Sequence, residues 1–360
     1  MSDDSNLRII REKIDAIDEK IQALITERAQ YAKQVALTKQ EAGTESFYRP
    51  EREAEVLRRV IERNEGPVSN DDMARLFREI MSICLALEAP LTVAYLGPEG
   101  TFTQQAALKH FGQSVETVAL GAIDEVFREV EAGSAQFGVV PIENSTEGVV
   151  SHTLDMFMRS DLRICGEVQL RVHQHLLSHA DGLEKIQKIV SHQQSLAQCR
   201  EWLDANLPNV ERVAVSSNAE AARIAANDNT AAAIAGQSAA DIYGLAVLAG
   251  NIEDEPDNTT RFLVIGRLQT KPSGKDKTSL LLGGKNKPGA LYQLLGSLAS
   301  HGINMTRIES RPSRQNAWEY VFFLDIEGHV DEDKVKQTLS ELQAEAAQFK
   351  LLGSYPVSVR

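Results

Sequence analysis

Long apolar runs, paired cysteines and a surplus of positive charge are all missing from this chain of 360 residues. No stretch approaches the roughly 18 consecutive apolar residues that a membrane-spanning helix needs. The opening Met1-Ser-Asp-Asp-Ser5 is acidic and polar, without signal-peptide character. Three cysteines, Cys84, Cys165 and Cys199, stand far apart and show no metal-ligand spacing. They read as reduced thiols of a cytoplasmic protein. A net charge of −13 argues against general affinity for nucleic acid. It leaves anionic small molecules open, because a site depends on where its own cations lie. Low-complexity segments, internal repeats, a Walker loop and a dinucleotide fingerprint are absent too. What is there is ordinary for a globular protein: 42% hydrophobic and 25% charged residues, in a chain long enough for two or three domains.

Residues 6 to about 89 contain no β-branched run and carry a helical period throughout. Apolar positions at Ile10, Ile14, Ile17, Ile21, Leu24, Tyr31 and Val35 are spaced three and four apart. Such a helix spans about 35 residues, roughly 50 Å at 1.5 Å per residue. Its apolar stripe is too long for a small domain to cover and invites a second copy. Gly43 and Thr44 are expected to break it. A second helix is expected from Pro50, and a third after the capping run Ser69-Asn70-Asp71.

Charges interrupt this apolar pattern. Arg28 takes a place in the stripe, and Lys39, 11 residues on, lies about 20° away around an ideal helix. Arg11 falls roughly 100° from Arg28 and points elsewhere on a straight helix. Singly, these are snorkelling side chains or salt bridges; jointly, they suit a rigid dicarboxylate. The segment resembles the all-helical chorismate mutase domain through Arg11-Glu-Lys-Ile-Asp15, Glu27-Arg28, Lys39, Arg49-Pro-Glu-Arg-Glu53 and the helix ending at Glu88. The resemblance implies an interlaced dimer. Arg11 of the partner subunit, Arg28 and Arg52 would contact carboxylates or hydroxyl, Lys39 would donate to the ether oxygen, and Glu53 would hold the substrate hydroxyl. Glu88 stands where many members of that family have Gln. An ionised Glu88 repels the ether oxygen and a protonated one donates to it, so mutase activity is expected to fall as pH rises, and Glu88→Gln to flatten the profile.

From Leu91 the texture changes. Short apolar strands at 91–96, 137–140 and 188–190 alternate with helical stretches, which indicates an α/β domain with a mainly parallel sheet. Polar clusters follow these strands: Gly97-Pro-Glu-Gly-Thr-Phe-Thr103, Pro141-Ile-Glu-Asn-Ser-Thr-Glu-Gly148, and Ser191-His-Gln-Gln194 with Gln198. The C-terminal ends of strands are where open α/β sheets bind ligands. Any one cluster also reads as cap and turn residues. His173 and His175 have a metal-like spacing without a third ligand cluster, and His192 reads as a hydrogen-bonded core histidine. Most informative is Asp257-Asn-Thr-Thr-Arg-Phe262, where two hydroxyls and a guanidinium precede an apolar strand. Such a mouth suits an anionic substrate that loses a hydroxyl.

Taken together these strings look like prephenate dehydratase from about Val93 to Ile265. The resemblance implies two lobes like a periplasmic binding protein, with the site in the cleft between them. It makes Thr260 the key catalytic hydroxyl. Glu143, Asn144, Ser145, Ser191, Gln198 and Arg261 would line the site, with Thr101 and Thr103 near it. Arg261 either orients a carboxylate or anchors the structure.

After a linker at 269–276, the order strand, helix, strand, strand, helix, strand (277–283, 288–301, 303–311, 318–326, 331–349, 351–358) makes a small ferredoxin-like sandwich. Gly289, Ala290 and Leu291 at a helix start, Asn304, and Glu309-Ser310-Arg-Pro312 resemble the amino-acid-binding ACT domain. That implies L-phenylalanine as feedback inhibitor, bound between paired domains.

The fold expected is therefore multidomain: an all-α helical mutase domain at 1–90, a two-lobed α/β dehydratase domain at 91–269 and an α+β ferredoxin-like ACT domain at 275–360. The resemblances imply a cytoplasmic homodimer that turns chorismate into prephenate and prephenate into phenylpyruvate, with no metal or cofactor. Two rivals remain: a small-molecule sensor on a binding-protein fold, and a dehydratase whose helical segment only dimerises.

Overall fold

The computed structural model describes residues 2–41, 48–284, 288–313 and 320–359. The break expected at Gly43 and Thr44 lies outside the described residues, as do positions 318 and 319 of one expected strand. Helix α1 (Ser2–Glu41) follows the three-and-four spacing for 40 residues. Its isoleucines at 10, 14, 17 and 21 are exposed, and Leu24 reaches 64%. Helix α2 (Pro50–Glu62) begins on its proline and buries Ala54, Leu57 and Val60. Helix α3 (Asn70–Glu88) starts at Ser69, whose side chain accepts from the Asp72 N–H. It packs against both α1 and α2.

The central region folds as two lobes. The first contains β1 (Thr92–Leu96), α4 (Phe102–Phe111), β2 (Glu116–Leu120), α5 (Ile123–Ala132), β3 (Phe137–Asn144), β4 (Gly148–Val149), α6 (Ser151–Arg159) and β5 (Arg163–Arg171). The chain then crosses into the second lobe: β6 (His175–Ser178), β7 (Lys188–His192), α7 (Gln193–Gln198), α8 (Arg200–Asn206), β8 (Glu211–Val215), α9 (Asn218–Ala226), β9 (Ala231–Ala235), α10 (Gln237–Tyr243) and β10 (Ala246–Ala249). It returns through β11 (Thr259–Gly266). The first sheet has the order β2-β1-β3-β11-β5, with β4 on β3, and the second β10-β6-β9-β7-β8.

The expectation of a mainly parallel sheet needs correcting, because there are two mixed sheets. Strands β1, β2 and β3 are parallel, as are β7, β8 and β9. β11 comes back from the second lobe at the opposite end and runs antiparallel to both β3 and β5. Helical crossovers enforce parallel pairing only where the chain stays within one lobe.

The last region is β12 (Asp276–Gly283), α11 (Ala290–Ser300), β13 (Met305–Pro312), β14 (Tyr320–Glu327), α12 (Asp333–Glu345) and β15 (Gln348–Pro356). Its sheet runs β13-β14-β12-β15. The two helices cover one face over Leu280, Leu282, Leu294 and Leu342. The other face joins the first lobe in one apolar core, Phe127, Phe157 and Ile265 with Phe323, Leu352 and Tyr355. Gly353 on β15 lies so close to β5 that an added Cβ would collide with the Ile164 carbonyl.

Candidate active sites

The motif at 257–262 starts β11 at the junction of the lobes. Thr260 pairs in register with Asn144 of β3, and Arg261 with Glu143. Successive residues of a strand face opposite ways, so these two rungs serve different surroundings. On the Thr260 rung, Asn144 Nδ2 donates to Thr260 Oγ1 at 2.8 Å and to Asn258 Oδ1 at 2.8 Å. Asn144 Oδ1 accepts the N–H groups of Thr146 and Glu147, each at 3.0 Å. All its polar atoms are thus committed, and its amide orientation follows from its partners. Thr260 Oγ1 already accepts one bond, and its own proton meets no acceptor among the described residues. Such a hydroxyl is poised to donate to a bound group.

The second lobe reaches the same place. Asn258 Nδ2 donates to Gln198 Oε1 at 3.1 Å, and Gln198 Nε2 lies 3.5 Å from Glu147 Oε1. Ser145 is exposed and tied to Thr259 through its backbone N–H and its hydroxyl oxygen, each at 2.9 Å. Ser191 is fully buried behind this edge and donates to Asn218 Oδ1 and the Ile234 carbonyl. Thr101 caps α4, its hydroxyl held by the Leu96 carbonyl and the Gln104 N–H, and Thr103 is buried in the same helix. His173 Nδ1 sits 2.9 Å from Glu253, and His175 Nδ1 accepts the Asn251 N–H at 3.1 Å. His192 caps α7 by accepting the Gln194 N–H.

The other rung faces the C-terminal sheet. Arg261 is not directed at the cleft. Its guanidinium bonds Glu167 at 2.8 Å, Tyr355 Oη at 3.0 Å, and Asp325. Burial disfavours its charge, yet Tyr355, Asp325 and Glu167 together hold it charged beyond its ordinary range. Glu143 likewise turns to Arg307 of β13, at 2.8 Å. The reason is strand alternation: with Thr260 and Asn144 facing the lobe junction, their neighbours face the C-terminal sheet. Glu167, 2% exposed, is the meeting point, accepting also from Lys277 Nζ at 3.0 Å and the Ser358 N–H at 3.2 Å.

In the helical region Lys39 Nζ lies 3.5 Å from Glu88 Oε2. That oxygen is buried and has no hydrogen bond among the described residues. Arg28 is half-buried on the same helix, whereas Arg11 is exposed. Arg11 precedes Lys39 by 28 residues, about 42 Å along the helix axis, so one copy cannot bring both to one small ligand. Arg52 is exposed and bonds Glu55 at 3.0 Å. Glu53 faces Arg78 at 3.7 Å, beside Tyr48 and His110, which share a 2.9 Å hydrogen bond. Burial pushes the Glu53 carboxyl up to about 7 against the opposing pull of Arg78. Burial, with Arg78 second, pulls His110 down to about 3.

In the C-terminal domain Gly289 caps α11 with φ +77°, a conformation that favours glycine. A Cβ on Gly284 would sit 3.7 Å from the Phe322 ring and 3.8 Å from Ala290 Cβ, and Ser310 pairs opposite Phe322. Gly289, Ala290, Leu291 and Ser310 therefore share one end of the sheet, with Glu309 next to Ser310. Asn304 is bonded to Glu327 at 3.0 Å, at the far end of β13. It stands roughly 20 Å from Ser310 at about 3.3 Å per residue.

Three carboxamides were not singled out from the sequence, the buried Asn258 and Gln174 and the half-buried Asn218. Asn258 stands inside the most informative motif. Asn218 follows the strand end at Val215, the same position in the fold as the other polar clusters. Gln174, 1% exposed, bonds Ser195 Oγ at 3.1 Å; nothing in its neighbourhood marked it.

Comparison with known proteins separates the same three regions. Residues 10–89 match the family model of chorismate mutase type II, 93–270 that of prephenate dehydratase, and 278–344 that of the ACT domain. The bifunctional chorismate mutase/prephenate dehydratase of Stutzerimonas stutzeri is 57% identical over 364 residues, covering 100% of both chains. Its counterpart from Pseudomonas aeruginosa is 56% identical over 364 residues, again covering 100% of each. The crystal structure of prephenate dehydratase in complex with L-Phe from Arthrobacter aurescens superposes with a TM-score of 0.69 at 36% identity. It covers 74% of this chain and 90% of that one.

Proposed function

The chain belongs to the family of bifunctional chorismate mutase/prephenate dehydratases, and from that premise we propose how its own side chains divide the work. It converts chorismate to prephenate and prephenate to phenylpyruvate in L-phenylalanine biosynthesis, with L-phenylalanine as its regulator. Residues 1–90 carry the mutase, 91–269 the dehydratase and 275–360 the regulatory domain in this reading.

The mutase step is pericyclic and needs no base. Arg28 and Arg52, with Arg11 of the partner subunit, bind the carboxylates and hydroxyl, Glu53 grips the hydroxyl, and Lys39 stabilises charge on the breaking ether oxygen. Glu88 tunes Lys39, which lies 3.5 Å away. In the dehydratase, the C–C electrons flow into the ring as CO₂ leaves, and the ring hydroxyl departs, taking up a proton to become water. Thr260 donates to that oxygen. Asn144 holds Thr260; Ser145 and Gln198 border the substrate; Ser191, Thr101 and Thr103 shape the cleft walls. The observation that carries this reading is the 2.8 Å Asn144–Thr260 bond at the lobe junction, which leaves the Thr260 proton unclaimed.

The functional protein in this reading is a cytoplasmic homodimer. Arg11 and Lys39 lie too far apart to meet in one chain, and so do Asn304 and Ser310. A second copy supplies what each site lacks. L-Phenylalanine then binds between paired ACT domains through Gly289, Ala290, Leu291, Asn304, Glu309 and Ser310. Glu143 and Arg261 relay its presence to the catalytic rung.

The test is Thr260→Ala, assayed with prephenate and chorismate separately. Phenylpyruvate formation should fall at least about 100-fold, with the mutase rate unchanged. Near-normal phenylpyruvate formation refutes the assignment.

A further inference from the structure

Asn258 has no part in the reading above, yet it sits where three parts of the dehydratase meet. It is 2% exposed. Its Oδ1 accepts from Asn144 Nδ2 at 2.8 Å, and its Nδ2 donates to Gln198 Oε1 at 3.1 Å. Asn144 belongs to the first lobe and Gln198 to α7 of the second. The Asn258 carbonyl accepts the Val172 N–H at 2.8 Å, so both chain crossings between the lobes are fastened at this residue. The backbone carbonyl of Gln198 accepts the Asp254 N–H at 2.7 Å, which fixes α7 to the returning crossing.

We infer that Asn258 is a positioning residue for the dehydration: through Asn144 it aims the Thr260 proton into the cleft, and through Gln198 it makes that aim depend on how the lobes meet. This inference rests on Thr260 being the hydroxyl that donates. Hydrogen-bond supply sets the direction of the Thr260 proton. Asn144 has two amide protons. Asn258 Oδ1 takes one, and the other goes to Thr260 Oγ1 at 2.8 Å. A threonine oxygen that already accepts directs its own proton away from that partner. With Asn258 Oδ1 gone, Asn144 has a half-buried, unpaired N–H and is drawn to any acceptor the substrate brings. Thr260 then loses its fixed direction. A carboxamide suits this place because it offers an acceptor to one lobe and a donor to the other. A carboxylate has no donor, and a leucine of similar size has neither.

The chemistry predicts different behaviour for two variants. Asn258→Leu should lower kcat for prephenate about 10- to 100-fold, the range for losing one orienting partner, with KM changed by less than about threefold. Asn258→Asp keeps the acceptor for Asn144 and regains a donor only when protonated. Its kcat, taken relative to wild type at the same pH, should therefore recover as pH falls. Mutase turnover of chorismate by the same full-length protein reports that each variant is folded.

Thr260→Ala separates the two ideas. If it is inactive while Asn258→Leu keeps kcat within about twofold of wild type, Asn258 is not a positioning residue and the inference is overturned. If Thr260→Ala retains turnover, the reading of Thr260 falls, and this inference with it. Should Asn258→Leu lose mutase activity as well, the pH profile of Asn258→Asp decides: a profile of wild-type shape overturns the proposal.

Discussion

Glu53 stands where mutase helix α2 meets the dehydratase, and burial has pushed its carboxyl up to about 7 from an ordinary 4.5. Below about pH 4.5 the group is neutral whether the chain is folded or not. Between there and 7 the unfolded chain ionises first, so the folded form loses stability as pH rises, and the loss levels off above 7. Glu53→Gln removes that dependence. Its Tm should match wild type near pH 4 and exceed it at pH 8; thermal melts across that range check this, and a constant Tm difference refutes it. At the same scale, Thr260, Asn144 and Gln198 stand in separate motif strings, and the fold links them through hydrogen bonds at the lobe junction. Which way Arg261 and Glu143 point could not be read from those strings. Strand direction is normally betrayed by polar–apolar alternation, but polar groups occupy both faces here, a cleft on one side and an ion-pair cluster on the other. Asn258 was obscured in the same way, its side chain being one polar letter among several.

Strand β13 is the element through which regulation would reach the chemistry. Arg307 bonds Glu143 at 2.8 Å, and Arg311 bonds Ser151 and Asp155 of α6, each at 2.9 Å. Glu143 pairs with Arg261, and one residue further along the ladder stand Asn144 and Thr260. A shift of the ACT sheet would therefore act on the neighbouring rung. Arg307→Met should raise the L-phenylalanine concentration needed for inhibition, within the about 5- to 150-fold typical of site coupling. Uninhibited activity should stay within about twofold. Titrating phenylpyruvate formation against L-phenylalanine measures both, and an unchanged inhibition curve rules this route out. The helices themselves were readable, since the 3.6-residue period and the Pro50 and Ser69 signals are local. The direction of β11 was not, because it depends on where the second lobe hands the chain back.

Across the whole molecule, α1 exposes the apolar stripe Ile10, Ile14, Ile17, Ile21, Leu24, Tyr31 and Val35 along most of its 40 residues. The polar cluster of Thr260, Asn144, Asn258 and Gln198, by contrast, is assembled within one chain. Dilution should therefore lower mutase turnover per molecule before it touches turnover of prephenate. Parallel assays over a concentration series check this, and equal decline of both activities counts against it. The multidomain character was legible in the changes of texture near 90 and 269, since each region has its own period. The shared core between the first lobe and the ACT sheet had no such sign, because an interface-facing strand reads like any buried one. The double crossing at Val172 and Asn258 makes the second lobe an insert, entered and left through adjacent antiparallel strands. Such an insert can be cut out: replacing residues 173–257 by a two-residue Asn-Gly turn should close β5 and β11 into an ordinary hairpin. The shortened protein should stay folded and keep its mutase, while losing all turnover of prephenate.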